Sequence, residues 1–370
     1  MNIFNCRSPY IIRIDGDSAQ VATKIELFIW KVGESEPTTP TKTIEKTKYS
    51  DTQYINYYNI SPFVYDLINT FAEPTYAFAY NIRYKLYYKT TGDYSLLEDE
   101  TLISVCGYNA YNNPNYIWST SIALLTNYGS TLDYIYDNSM MPNLDFIIDF
   151  AATVNDIRFE WISTEFVEDH NEIFTYNIDY INDGSLFADR VQMVQNASEG
   201  ILVSTEFNIY YYDGDTYTSI YQCVLTPICE NKYTPLGLRF VNRKGGVQQL
   251  TLFKNNTKTI DVKASDYNTN TFTEGYPVYD QTLGQKRVFN KNGNVTVKAN
   301  TGWLNESENI NIQDIMLSEM LSLTSANSDY AYGAVTLKSS SQLMKTHLNE
   351  KVINYELEFE VASSLINNVV

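Results

Sequence analysis

Apolar and polar residues alternate with a period of two along much of the chain, the pattern of strands that bury one face and wet the other. Clear runs are Tyr10-Ile-Ile-Arg-Ile14, Lys24-Ile-Glu-Leu-Phe-Ile-Trp-Lys31, Thr41-Lys-Thr-Ile-Glu-Lys-Thr47 and Tyr76-Ala-Phe-Ala-Tyr-Asn-Ile-Arg-Tyr-Lys-Leu-Tyr-Tyr88. The most explicit pair lies in Leu238-Arg-Phe-Val-Asn-Arg-Lys-Gly-Gly-Val-Gln-Gln-Leu-Thr-Leu-Phe253. Paired glycines supply the positive φ of a tight turn, so this stretch predicts a β-hairpin turning at Gly245-Gly246. Its spacing puts Val247, Leu250 and Leu252 inward and leaves Gln249 and Thr251 on a wet face. The last run, Tyr355-Glu-Leu-Glu-Phe-Glu-Val361, predicts Tyr355, Leu357, Phe359 and Val361 inside, with Glu356, Glu358 and Glu360 as a solvated row that discourages edge pairing.

Helical spacing is rarer. Ser61 is placed to cap and Pro62 to fill the first turn of a short helix, and Ser185-Leu-Phe-Ala-Asp-Arg-Val191 reads as a second capped turn. Ile312, Ile315, Met316 and Met320 share one face of an amphipathic helix over about 309–323, with Asn309 or Asn311 as its cap.

The short strands and turn clusters imply a mainly β protein of tandem immunoglobulin- or fibronectin-like β-sandwich domains with a few short helices. The polar, Pro114-containing stretch 109–115 marks a boundary. It gives a sandwich over 1–110, a less regular β domain over 111–230 and a C-terminal β domain over 231–370. Ser61, Tyr88 and Cys106 have counterparts in Ser185, Tyr211 and Cys229, with the same Tyr-to-Cys spacing, so the second domain reads as a repeat of the first. A second echo links Leu27-Phe-Ile-Trp-Lys31 and Thr41-Lys-Thr-Ile-Glu45 to Leu250-Thr-Leu-Phe-Lys254 and Thr257-Lys-Thr-Ile-Asp261, and suggests a last domain planned like the first.

Composition sharpens this picture. Apolar residues make up 44% and charged residues 19%, which fits folded cores and excludes a disordered chain. The 32 tyrosines suit sheets whose outer faces contact other chains. A net charge of −18 is a poor match to a phosphate backbone, so direct sequence-specific nucleic-acid binding is not expected. No signal-like segment opens the chain and no run reaches transmembrane length, so a soluble protein made in a cytoplasm, with no membrane insertion, is expected. Cys6, Cys106, Cys223 and Cys229 form no CxxC pair and read as buried free thiols.

Chemistry finds little footing. His170 and His347 are the only histidines, and neither sits in HExxH or beside a cysteine. Asp213-Gly-Asp215 lacks the further acids of a calcium loop and reads as a hairpin turn. A strand, not a helix, follows Gly245-Gly246, so the pair is not a phosphate cradle. Glu160 beside Trp161, and Trp303 near Glu306, are the pairs a glycan-cleaving or glycan-binding site could use, although tryptophans more often fill cores. No catalytic, cofactor-binding or metal residues are therefore assigned, and no cofactor is expected.

Several stretches resemble virion structural proteins of tailed phages that infect Bacteroidetes, in particular crAss-like phages. These are Lys24-Ile-Glu-Leu-Phe-Ile-Trp-Lys31, Tyr58-Asn-Ile-Ser-Pro-Phe-Val64, Cys229-Glu-Asn-Lys-Tyr-Thr-Pro235 with Arg239-Phe-Val-Asn-Arg-Lys-Gly245, Thr301-Gly-Trp-Leu-Asn305, and His347-Leu-Asn-Glu-Lys-Val-Ile-Asn-Tyr-Glu-Leu-Glu-Phe359. The resemblance implies a tail, hub or collar component, with no catalytic residues to carry over. The expectation is a non-enzymatic subunit that forms a homo-oligomeric ring with other tail, collar or portal proteins, is made in the host bacterial cytoplasm and resides in the neck or tail of the virion. The alternatives are a host-glycan-binding head or tail fibre and a glycan-cleaving enzyme.

Overall fold

The architecture is that of a computed structural model describing residues 1–16, 19–48, 55–68, 79–110, 117–135, 140–149, 156–167, 170–181, 186–194, 204–212, 214–228, 232–269, 272–273, 276–279, 284–325, 327, 332–339, 341 and 352–366. It is mainly β, with sandwich-type bodies and short helices.

The first body contains β1 (Asn2–Asn5), β2 (Ile11–Asp15), β3 (Ala22–Lys31), β4 (Lys42–Thr47), β5 (Ile55–Asn59), helix α1 (Ser61–Ile68), β6 (Ala79–Lys89) and β7 (Ser95–Val105). One sheet has the order β4-β3-β6-β7-β1 and the other pairs β2 with β5. β1 runs parallel to β7, and the other pairings are antiparallel. Alternation explains the layers: Ile25 and Leu27 of β3 and Ile82, Tyr84 and Leu86 of β6 meet Ile12, Ile14 and Tyr58 of the second sheet in one core. The Thr23 and Tyr58 hydroxyls share a buried hydrogen bond of 2.7 Å across the layers.

After the short strands β8 (Ile117–Ser119) and β9 (Ile122–Leu124) comes a second body. Its strands are β10 (Thr131–Tyr134), β11 (Asn143–Asp149), β12 (Asp156–Val167), β13 (His170–Ile181), β14 (Leu186–Gln192), β15 (Ser204–Tyr212) and β16 (Tyr217–Pro227). They pair as β13-β12-β15-β16-β10 in one sheet and β11 with β14 in the other, where β9 adds to β11. Taken in chain order, this is the plan of the first body. The first strand again runs parallel to the seventh, the second and fifth pair antiparallel, and the third, sixth and seventh form the centre of the larger sheet. That plan is immunoglobulin- or fibronectin-like. Its core holds Phe146 facing Phe159 at 4.9 Å, with Trp161 against Phe207 at 5.4 Å.

The third body differs. It contains β17 (Leu236–Val241), β18 (Val247–Leu252), β19 (Asn256–Asn268), β20 (Phe272–Thr273), β21 (Tyr276–Tyr279), β22 (Lys286–Asn300), β23 (Leu304–Asn305), α2 (Asn309–Leu317), β24 (Leu321–Thr324), β25 (Gly333–Leu337), β26 (Val352–Ile353) and β27 (Glu356–Val361). Seven of these strands form one antiparallel sheet, β18-β17-β24-β25-β27-β22-β19, whose core side takes Ile312 and Ile315 of α2.

Several expectations are corrected here. Residues 186–191 form strand β14, paired with β11, so they correspond to β5 and not to the helix after Ser61. Ser185 and Cys229 lie outside the described residues. The Ser61 hydroxyl accepts from the Tyr10 amide at 2.8 Å and donates to the Ser8 carbonyl at 2.6 Å, so it ties α1 to the β1–β2 connection instead of capping the helix. Helix α2 stops at Leu317, because Leu321 and Leu323 enter the sheet beside β17 as strand β24. Neither Asn309 nor Asn311 caps it: Asn309 accepts from the Tyr355 hydroxyl and Asn311 from Gln248. The echo between 27–45 and 250–261 is not structural. β3 and β4 are paired neighbours, whereas β18 and β19 end opposite edges of their sheet. The glutamates of β27 guard no edge, because β27 lies between β25 and β22. Glu358 instead ion-pairs with Lys298 (3.5 Å) and Lys338 (3.3 Å).

Candidate functional site

The β17–β18 hairpin places its turn, 242–246, where all three bodies meet. Its apolar residues divide between cores: Val241 and Val247 pack with the first body, while Leu236, Leu238, Phe240, Leu250 and Leu252 pack with the third. A further cluster joins the first body to the second through Ile3, Ile103, Val105, Ala123, Leu125 and Ile147. Gly245 turns at φ +86°, and a Cβ there would come within 2.8 Å of the Cys106 amide nitrogen. A Cβ on Gly246 would overlap the Leu125 carbonyl. Glycine is required at 245 by conformation and by close approach, and at 246 by close approach alone.

Two carboxylates anchor the turn. Asp314, fully buried, accepts from the Tyr108 hydroxyl (2.6 Å), the Asn127 amide group (2.6 Å), the Arg243 backbone amide (3.0 Å) and Arg243 Nε (3.0 Å). Burial, then the hydrogen bond to Asp314, push the Tyr108 phenol well above its ordinary value. Asp145 of β11 accepts from Arg190 Nε at 2.6 Å and from the Val247 amide at 2.7 Å. Asn242 caps the turn from within: its Oδ1 accepts from the Lys244 amide at 2.9 Å, and its Nδ2 donates to the Leu125 carbonyl at 3.0 Å. Lys244 Nζ donates to the Thr126 carbonyl at 2.7 Å, and burial pushes its ammonium below the usual lysine range.

The expected wet face of this hairpin is absent. Gln248, Gln249 and Thr251 are buried, and every residue of β18 faces a neighbour. The cost of burying these amides is met by partners from the chain leading into the second body, from its β10–β11 connection and from α2. The Tyr128 hydroxyl accepts from the Gln249 amide (2.8 Å) and donates to its carbonyl (3.0 Å). Gln249 Nε2 donates to the Met140 carbonyl, and Gln248 bridges the Asn127 amide and Asn311.

A second feature projects from the third body. β19 and β22 pair over thirteen registers from Asn256↔Ala299 to Asn268↔Lys286, a ribbon about 40 Å long at strand rise. β27 supports only its base, pairing with β22 from Thr296 to Asn300. Beyond that, Ile260, Val262, Tyr267, Val288 and Phe289 are exposed, and Leu365 and Ile366 lie exposed beside Gly293 and Asn292. These are seven of the seventeen exposed large apolar side chains among the described residues, gathered on one element. A two-stranded ribbon with such a surface gains little by standing alone in water.

The residue pairs singled out for glycan chemistry separate. Trp161 is buried, with Nε1 donating to the Gln192 carbonyl at 3.1 Å, and Glu160 accepts from Asn208 and Tyr210. Trp161 is therefore core and cannot stack on a sugar. Trp161→Ala is expected to cost about 3–5 kcal/mol in urea unfolding, and an unchanged midpoint would contradict this placement. Trp303 is 57% exposed and borders a small cavity of about 30 Å³ with Asn311, Glu308 and Asp133. Its acidic neighbours there are Glu308 and Asp133, not Glu306, and burial pushes both of those carboxyls up. Gly214 turns between β15 and β16 at φ +112°, and Asp213 lies outside the described residues. Cys6, Cys106 and Cys223 are buried free thiols. Cys6 and Cys106 are hydrogen-bonded neighbours, which raises the Cys6 thiol and lowers that of Cys106.

No family model matches the chain, and no curated protein matches it. Among solved structures it is similar to the crystal structure of CBD12 from CALX1.2, at 8% sequence identity over 57% of this chain and 75% of that chain, with a TM-score of 0.18. A likeness at that score carries no argument.

Sequence reasoning found the hairpin but not the groups that receive it. Asp145, Asp314, Asn127 and Tyr108 stand far apart in the chain, and only the glycine pair signalled that another backbone approaches closely. Among the described residues no group of acidic, Cys or His side chains is arranged to hold a metal, and no helix is long and apolar enough to cross a membrane.

Proposed function

We propose that the chain is a structural subunit of a tailed-phage virion, a tail hub or collar ring component that assembles around the tail or portal axis. The observation that carries this reading is the hairpin turn, to which Tyr108 just beyond the first body, Asp145 of the second and Asp314 of the third are all hydrogen-bonded. Such fastening makes the chain a block that transmits load without hinging, as an assembly subunit requires. The projecting ribbon and the virion-protein resemblance of the sequence support the same reading. Mass spectrometry of purified particles tests it: the chain is expected as a stoichiometric component, and its absence from the particles would reject the reading.

A host-glycan-binding fibre remains a second reading on one observation, exposed Trp303 beside Asn311 and Glu308. A glycan-array signal abolished by Trp303→Ala would favour it.

A further inference from the structure

Two thiols of the first body stand in register on adjacent strands. β1 runs parallel to β7, with Ile3 opposite Ile103, Phe4 opposite Ser104 and Asn5 opposite Val105. The Cys6 amide then donates to the Val105 carbonyl at 3.0 Å, which carries the same register one step past both strands and sets Cys6 beside Cys106. Both side chains enter the same core, at 3% and 5% exposure. Paired positions on neighbouring strands stand about 4.8 Å apart. That is inside the separation of about 4.4–6.8 Å between α-carbons that a disulfide spans.

Access sets this pair apart from an ordinary buried thiol. Cys6 lines a cavity of about 390 Å³ between the first body and the connection from α2 to β24, together with Arg7, Ser61, Tyr65, Tyr108 and Glu319. A small oxidant entering there meets a sulfur with a second sulfur at its side. The hydrogen bond from the Cys6 thiol, with the Arg7 charge, lowers the Cys106 thiol and so favours the thiolate, the form that attacks an oxidant. Cys223 offers the contrast. Among the described residues it is the one cysteine in the core of the second body, and burial pushes its thiol up to about 11.

We propose that Cys6 and Cys106 form a redox site, a dithiol that a hydroperoxide converts to a disulfide tying the first strand of the first body to its last. With hydrogen peroxide the balance is complete: both S–H bonds and the O–O bond break, the Sγ–Sγ bond forms, and two electrons and both protons pass to the peroxide oxygens, which leave as two waters. The path runs through a sulfenic acid on one sulfur, whose hydroxyl the other thiol displaces as water. The loop so closed spans the first body from end to end, and a long loop is where a crosslink restricts the unfolded chain most. The pairing stands independently of the assembly reading. On that reading the dithiol belongs to the chain as made in the host cytoplasm and the disulfide to the released particle.

Mild oxidation of the full, natively folded chain with hydrogen peroxide, followed by digestion without reductant and peptide mass spectrometry, tests this. The expected map shows one crosslinked peptide pair joining Cys6 to Cys106 within a single chain, with Cys223 recovered as a free thiol. The oxidised chain is expected to melt about 5 °C or more above the reduced one. A Cys6→Ala/Cys106→Ala chain is expected to melt alike with and without peroxide, and the map of the native chain stands whether or not that variant folds. Free thiols at both positions under peroxide that already oxidises exposed methionine would overturn the proposal. So would separate sulfinic acids with no crosslink, or an oxidised chain that melts no higher than the reduced one. Mass spectrometry of purified particles decides the assembly reading separately, so either can fail without the other.

Discussion

Asp314→Ala is expected to destabilise the chain by about 3–5 kcal/mol, the range for removing one partner of a buried charge network. The fully buried carboxylate takes four hydrogen bonds from three residues: Tyr108, beyond the last strand of the first body; Asn127, before the second; and Arg243, in the hairpin turn. Removing it takes the acceptor from the Arg243 backbone amide, the Asn127 amide group and the Tyr108 phenol, while the part-exposed guanidinium keeps Gln313. The loss falls on the docking of bodies more than on their separate cores. Urea unfolding of the variant is therefore expected to lose cooperativity, with the transitions of tyrosine fluorescence and far-ultraviolet circular dichroism separating. Asp314→Asn keeps one acceptor oxygen and is expected to fall between the variant and the native chain. A variant that unfolds in one transition at the native midpoint would show that Asp314 fastens nothing.

Gly246→Ala is expected to cost about 3 kcal/mol or more, at the upper end of what overpacking does. The added Cβ meets the Leu125 carbonyl, a backbone atom that cannot rotate away and that already accepts from Asn242 Nδ2. The hairpin must therefore withdraw from the seam between the first and second bodies, breaking the Val247 bond to Asp145 at the same time. Gly245→Ala adds a left-handed conformation, φ +86°, to a close approach to Cys106. By contrast, alanine at Gly33 or Gly284, where a Cβ meets nothing within 4 Å, pays only for its backbone angle and is expected to cost about 1 kcal/mol. Equal losses at Gly246 and Gly33, measured by urea midpoints, would contradict the seam.

Period-two alternation was sufficient to locate β3, β6, β17, β18 and β27 and to assign the inward face of β27, because there the core is the nearest hydrophobic surface. It failed on β18, where polar Gln249 and Thr251 also face inward. A sequence pattern cannot distinguish a glutamine facing water from one facing a backbone supplied over a hundred residues away. The same blindness to distant partners explains β14, whose Leu186-Phe187 start resembles a helical turn but completes a pair with β11. It also explains β24, where Leu321 and Leu323 continue a helical periodicity until Phe240 and Leu238 offer them a strand. The likeness of the first two bodies rests on strand order, which local spacing does not encode. The Tyr88 and Tyr211 correspondence falls on equivalent hairpins, whereas that of Ser61 with Ser185 crosses a strand and a helix. The ribbon was not read from the sequence, where only Thr257-Lys-Thr-Ile-Asp261 stood out, as an echo of the first domain. Its exposure on both faces follows from β27 ending its pairing at Thr296.

The claim on which the rest depends is that the 242–249 turn is docked between the bodies, since this makes the chain one block. Native-state hydrogen exchange read at the amides of Arg243, Val247 and Gln249 measures it most directly. Each of these amides donates to a side chain outside the hairpin, namely Asp314, Asp145 and the Tyr128 hydroxyl. The expected result is protection equal to that of the central strand amides of β6 and β15, so that the turn opens only when the whole chain unfolds. Exchange at these three amides as fast as in an exposed loop, with the strands still protected, would contradict the account.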